Sequence, residues 1–220
     1  MKVICISDTH CQLEKVSIPD GDILVHSGDL TYSGNIKEIS KELFELSKHR
    51  GRFKEIVLVE GNHDWLGFHN PTYMDEMCKD NGITLLRDSG KIIDGVNFYG
   101  VPWQPEFRNW AFNLPRGKAL KEKWDLIPDD TNVLITHGPP MGIMDGVEKF
   151  NCQKGEIEIE HVGCVDLYNK AIQLKELKIH VFGHLHFGYG TQKLGNTTFI
   201  NASTCTEQYR PTNSPIIISI

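Results

Sequence analysis

Side chains able to bind metal recur in this chain in one setting, directly after short apolar runs. Val3-Ile4-Cys5-Ile6 leads into Ser7-Asp8-Thr9-His10, and Ile23-Leu24-Val25 into His26-Ser27-Gly28-Asp29. Ile56-Val57-Leu58-Val59 leads into Gly61-Asn62-His63-Asp64. Val133-Leu134-Ile135 leads into Thr136-His137-Gly138, and Ile179-His180-Val181-Phe182 into Gly183-His184-Leu185-His186. A lone histidine after a strand is more often structural than a ligand. Five such endings, each with Asp, His or Asn, reverse that expectation.

The set is Asp8, His10, Asp29, Asn62, His137, His184 and His186, with His63 beside Asn62. Imidazole and carboxylate ligands without thiolate suit Mn, Fe, Zn or Ni. Seven ligands exceed the four of a tetrahedral zinc site. They suit two divalent transition-metal ions about 3.5–4 Å apart that share a carboxylate. Against two ligand carboxylates, two such ions leave a local charge of about +2, an attractor for phosphate esters.

The apolar runs are continuous and β-branched, as in central strands buried on both faces. In α/β sheets ligands collect beyond the carboxyl ends of such strands. Helices fit between them. Asn35 and Glu38 have capping-box spacing, followed by Ile36, Ile39, Leu43 and Leu46 at helical intervals up to Gly51. Leu167, Ala171 and Leu174 form a second stripe, and 73–79 and 118–124 are weaker helical stretches. Short strands are expected around 91–100. A hairpin is expected at Gly195-Asn196, between 189–194 and 197–201, with a closing strand over 216–220. The pattern is a mixed α/β domain over residues 1–220 with one continuous core. Loops 65–75, 101–117 and 138–162 are left to choose the substrate.

The 220 residues carry 23 Lys+Arg and 29 Asp+Glu, a net charge of −6. That balance disfavours a stable nucleic-acid complex and with it a DNA-processing nuclease. No apolar run reaches the ~18 residues of a membrane span. The start, MKVICISDTH, lacks a signal-peptide h-region, so a cytoplasmic protein, monomer or homodimer, is expected. Six scattered cysteines without a CxxC pair read as reduced thiols. Cys11, beside the first ligand block, is the thiol to watch for oxidation.

In order, D-x-H, G-D, G-N-H-D, T-H-G and G-H-x-H resemble the five signature blocks of the calcineurin-like metallophosphoesterase superfamily. The segments Val101–Pro105, Trp110–Gly117, Thr136–Pro140 and Asn201–Cys205 are similar to its metallophosphoesterase domain-containing protein branch, related to the class III cyclic-nucleotide phosphodiesterases. The resemblance implies two face-to-face mixed β-sheets flanked by helices. It implies Asp8, His10, Asp29 and His186 on one metal, and Asp29 bridging to a second completed by Asn62, His137 and His184. A hydroxide between the ions would attack phosphorus in line. His63 would contact the phosphate beside Asn62 and protonate the leaving oxygen, with Asp64 as its orienting partner. Some branch members lack the first histidine of the last block and are weak enzymes, whereas this chain keeps His184. The expected activity is a metal-dependent phosphodiesterase on small phosphate esters, cyclic or linear nucleotides in particular. The alternatives are a phosphomonoesterase or phosphoprotein phosphatase, and a non-catalytic nucleotide-binding module.

The other singled-out residues have plainer expectations. Trp103, Phe107, Trp110 and Phe112 lie in a proline-interrupted loop and either stack a nucleobase or pin the loop to the core. His26 and His180 read as packing residues within strands. His49 reads as a complement to a helix dipole, His69 and His161 as exposed loop residues within reach of a substrate, and Arg116 as support for a helix start or a phosphate contact.

Overall fold

The computed structural model describes residues 1–152 and 154–220. One sheet has the order β15 (Ile216–Ser219), β1 (Lys2–Ile6), β2 (Ile23–His26), β3 (Glu55–Leu58), β4 (Thr84–Leu85). The second has the order β13 (Gly190–Leu194), β14 (Thr197–Asn201), β12 (Ile179–Phe182), β9 (Val133–Thr136), β6 (Val96–Val101), β5 (Ser89–Ile93). Two small pairs complete the strands: β7 (Gln104–Pro105) with β8 (Asn113–Leu114), and β10 (Gly146–Asn151) with β11 (Glu156–His161).

Side-chain alternation along a strand decides how the layers stack. Val3, Cys5, Ile23, Val25 and Val57 of the first sheet share one buried cluster with Val133, Ile135, Ile179, Val181 and Ile200 of the second. The alternate residues Ile4, Ile6, Leu24, Ile56 and Leu58 pack under helices α1 (Ile36–Ser47) and α3 (Pro71–Asp80). On the far side, Leu134, Phe182 and Phe199 pack under α4 (Lys118–Trp124) and α5 (Val165–Gln173). The result is a helix–sheet–sheet–helix sandwich. Both faces of each central strand are buried, which is why the runs carry no polar alternation. Among the described residues no helix is long and apolar enough to cross a membrane.

The hairpin turns at Gly195-Asn196, with Leu194 opposite Thr197, and the closing strand β15 runs antiparallel to β1. At the start of α1, Asn35 Oδ1 accepts from the Lys37 and Glu38 amides at 3.0 and 3.1 Å. Glu38 does not close the box on the Asn35 amide. Its carboxylate accepts from the Tyr32 and Ser33 amides at 3.1 and 2.7 Å, pinning the loop that follows Asp29. All three segments expected as loops contain short elements, with the β7–β8 pair inside 101–117. Residues 65–75 contain α2 (Trp65–His69) and the start of α3, and β10–β11 form a hairpin within 138–162. The alternation of Ile157 and Ile159 with glutamates was the signal for the latter.

Beneath the third ligand block, the buried Glu60 receives Arg87 Nε and Nη2 at 2.7 and 2.9 Å. Burial pushes the Glu60 carboxyl up to about 7 while Arg87 pulls the other way. Arg87→Met strands that carboxylate, at a cost of ~3–5 kcal/mol of stability. The loss is expected to be larger at pH 8, where the carboxyl must ionise, than at pH 5, where protonation relieves it. Denaturant melts at the two pH values check the difference, and equal losses would contradict it.

Candidate metal centre

β1, β2 and β3 run parallel, as do β9 and β12, so five carboxyl ends meet along one edge of the sandwich. An isolated bridge between Ser7 and Ser203 joins the two sheets there. The chain must turn sharply to fold ligands back over that edge. Asp8, His10, Asp29 and His184 all have positive φ, 50°, 43°, 53° and 67°. Left-handed backbone at non-glycine residues is costly and concentrates at functional sites. Hydrogen bonds lock these turns, among them Asp8 N–H to Gly28 O at 2.9 Å and His10 N–H to Asp29 O at 3.1 Å. Glycines clear the space. A Cβ on Gly61 would strike Asp29, and one on Gly183 would strike the Asp8 carboxylate.

The structure brings all seven expected ligand residues together. Ligand atoms of Asp8, His10 and His186 lie within 4.8 Å of one another, and so do those of Asp29, His137 and His184. Asn62 Oδ1 stands 3.0 Å from His137 Nε2. Asp29 Oδ2 is 3.4 Å from His137 Nε2 and 3.9 Å from His10 Nε2, so it belongs to both groups. Asp8 is held from behind by the His184 amide and by Ser203 Oγ at 2.8 Å.

The tautomers follow from partners that can only accept. His10 Nδ1 faces Thr31 O at 3.2 Å, His137 Nδ1 faces Ser27 O at 3.0 Å, and His186 Nδ1 faces Thr206 O at 2.9 Å. Each Nδ1 therefore carries a proton, and in the neutral ring each Nε2 offers a lone pair. Yet His10 and His186 point Nε2 at one another across 3.2 Å, beside Asp8 Oδ1 at 3.4 Å from His186. His137 Nε2 likewise faces two oxygens. Converging acceptors repel unless a proton or a metal ion lies among them; Asp29 favours a proton on His137 when no ion is bound, and with neutral rings this donor set fits metal ions. Among the described residues no Lys or Arg pairs with Asp8 or Asp29.

Protonation follows the same crowding. Burial favours the neutral form of Asp8, but the imidazole of His186, then His137 and His10, holds its carboxyl well below the usual range. Asp29 is likewise lowered against its burial, chiefly by His137. Burial works against the His137 imidazolium, yet Asp29 raises that group to about 9. Burial, then repulsion from His137, lowers His184 to about 4.

His63 stands at the rim, its Nε2 4.0 Å from Asp29 Oδ2 and its Nδ1 2.5 Å from the Tyr32 carbonyl. The expected pairing of Asp64 with His63 is corrected. The Asp64 carboxylate accepts from the Gly61 and Thr31 amides and from Thr31 Oγ1, at 2.8, 3.0 and 2.7 Å. It thus ties the second ligand loop to the third, and the Tyr32 carbonyl orients His63.

The aromatic loop divides. Trp103 borders neither cavity at the site: its Nε1 donates to Asp88 at 2.9 Å, and Lys123 lies 4.4 Å over its ring. Phe112 is buried against it. Stacking by Trp103 on a base is therefore corrected to a structural role. Trp103→Ala is expected to lower Tm and to slow nucleotide and nitrophenyl substrates by the same factor. Trp110 packs on His63 at 4.2 Å and 33°, so one face already braces the imidazole. Phe107, 51% exposed, borders the metal cavity.

That cavity, about 260 Å³, also holds Arg108 and Tyr209, which no motif had flagged. Tyr209 lies 4.8 Å from the His10 ring, and Tyr32 packs on both. Their only signal was an unexplained Tyr and Arg in proline-broken loops.

His26 and His180 are buried in their strands, each hydrogen-bonded to a threonine at 2.9 Å and lowered to about 3 by burial. His49, expected at a helix dipole, is turned instead to Arg52. Burial and then Arg52 lower it, and its Nδ1 meets Arg52 Nη1 at 3.1 Å. His69 ends α2 stacked on Trp65, and His161 Nδ1 pairs with Asp145 at 2.6 Å. Arg116 spans to the Val162 and Gly163 carbonyls at 2.5 and 2.6 Å instead of supporting a helix start. Burial raises the Cys11 thiol to about 12, which disfavours its thiolate.

The profile of the calcineurin-like phosphoesterase family matches residues 1–188, a span that includes every expected ligand position. Metallophosphoesterase domain-containing protein 1 of Homo sapiens is 38% identical over 241 residues, covering all of this chain and 71% of that protein. UPF0046 protein K07C11.7 of Caenorhabditis elegans is 39% identical over 233 residues, covering all of this chain and 75% of its own. The crystal structure of TT1561 of Thermus thermophilus has the same fold, with a TM-score of 0.59 at 13% identity over 91% of this chain and 88% of that one. The sandwich, its edge cluster and these likenesses define a metal-dependent phosphoric ester hydrolase. The chain belongs to the calcineurin-like phosphoesterase family.

Proposed function

We propose that the enzyme is a binuclear phosphodiesterase of small nucleotides, cyclic ones included. The carrying observation is Asp29 Oδ2, placed between the two donor groups at 3.4 Å from His137 Nε2 and 3.9 Å from His10 Nε2. Asp8, His10 and His186 would hold one ion, Asn62, His137 and His184 the other, with Asp29 common to both. Bound there, divalent ions such as Mn, Fe, Zn or Ni supply Lewis acidity and lower the pKa of the attacking water.

The chain's own groups do the rest. The carbonyls of Thr31, Ser27 and Thr206 keep three imidazoles in the tautomer that presents Nε2 inward. Asn62 binds without adding negative charge, so the cavity stays attractive to phosphate. His63, held through Nδ1, directs Nε2 to where an ester oxygen would leave. Six free thiols suit a reducing cytoplasm, and we read residues 1–220 as one domain acting as a monomer or homodimer.

The test is hydrolysis of cyclic nucleotides, linear diesters, monoesters and phosphopeptides after loading with Mn, Fe, Zn, Ni or Mg, alongside metal analysis. Two ions per chain and preference for nucleotide diesters are expected. A preference for phosphopeptides would make it a phosphoprotein phosphatase. Tight nucleotide binding without turnover of any ester would make it a binding module.

A further inference from the structure

A second cavity, about 400 Å³, adjoins the metal site and shares His184, Leu185 and Phe107 with it. Its walls include Pro105, Pro139, Val147 and Val162, and its size is in the range of small-molecule sites. Its polar groups are Gln104, Glu106 and Glu160, the last paired with Lys149 at 2.9 Å, and Arg116, which donates to two backbone carbonyls. With two Arg116 nitrogens turned to backbone carbonyls, acceptors predominate on the walls, which favours a ligand that brings donors.

Gln104 sharpens that preference. It is 1% exposed, and its Oε1 is buried without a hydrogen-bond partner. The direction of its amide is set by a neighbour. Asn113 Nδ2 donates to the Phe107 and Arg108 carbonyls at 3.0 and 3.3 Å, so Asn113 Oδ1 must face Gln104. Gln104 Nε2 donates to it at 3.1 Å, which leaves Oε1 as the free acceptor. Beside it lies a niche at Gly138, where an added Cβ would meet only Gln104, 3.4 Å from its Cβ and 3.9 Å from Oε1. Gly138 follows His137 directly, so the niche opens next to the metal cluster.

We infer that this cavity is the subsite for the organic part of the substrate, and that Gln104 Oε1 accepts a hydrogen bond from the exocyclic amino group of a nucleobase. Phe107, in the walls of both cavities, offers an apolar face between base and phosphate. The inference rests on the nucleotide reading above and adds the base recognition to it. Oε1 is already sealed from water without a partner, so a base that brings a donor relieves an unpaired acceptor and a base without one does not, which selects for the donor.

Calorimetric binding of adenosine 5′-monophosphate and purine riboside 5′-monophosphate to the metal-loaded protein tests this, because the two differ only in the exocyclic amine. The amine is expected to tighten binding by about tenfold or more. In Gln104→Met, which keeps the volume and loses the acceptor, the two should bind alike. Equal binding of both by the unmodified protein would overturn the inference and leave the nucleotide reading standing. A retained preference in a folded Gln104→Met would also overturn it. Should neither nucleotide bind while a nitrophenyl diester is still hydrolysed, the nucleotide reading falls and this inference with it.

Discussion

Asp29→Ala is expected to reduce hydrolysis by roughly 10³-fold or more and to release both ions to a mild chelator. Loss of an outer partner of a metal ligand already costs ~10–100-fold. Asp29 is more than that, because its Oδ2 is within 4.0 Å of His10, His63 and His137. Its other oxygen accepts from the His63 amide at 2.8 Å, so the substitution also loosens the third ligand loop. Asn62→Ala, which removes a neutral donor from one group only, should keep more metal. Metal analysis after chelator dialysis compares the two. Equal retention, or full activity with one ion per chain, would contradict a shared carboxylate.

The second large effect belongs to His63 and depends on the substrate. A ribose oxygen is a poor leaving group and needs a proton in the transition state, whereas nitrophenolate hardly does. Positioned general-acid catalysis is worth ~10²–10⁴-fold. With Nδ1 bound to the Tyr32 carbonyl, only Nε2 can give that proton, and Trp110 holds the ring from one side. His63→Ala is therefore expected to retain both metals and lose most activity on a cyclic nucleotide, with a small loss on a nitrophenyl diester. Similar slowing on both would mean that His63 only grips phosphate or braces its turn. Trp110→Phe, which keeps an aromatic face against the imidazole, should lie between the unmodified protein and His63→Ala.

Much of this site was legible along the chain because each ligand is local to its own strand. An apolar run such as Val3–Ile6 specifies a buried strand, and Asp8 and His10 follow within four residues, so parallel packing must deliver them to one edge. The capping at Asn35 and the turn at Gly195-Asn196 were legible for the same reason, since their chemistry closes over two or three residues.

The tertiary structure alone decided what depends on distant residues. Asp64 lay next to His63 in the chain and invited a pairing, yet its carboxylate is used on Thr31 and Gly61. Trp103 shared a loop with Trp110, but a carboxylate from residue 88 captured its indole while His63 took Trp110. Tyr209 reaches His10 from the far end of the chain, and Gln104 acquires its orphaned oxygen only through Asn113. Apolar periodicity reports that a side chain is buried, not which one it meets. Hydrogen bonds and ring contacts are satisfied by whichever partner the packed layers bring within about 3–5 Å. That choice is made in space, after the strands have aligned.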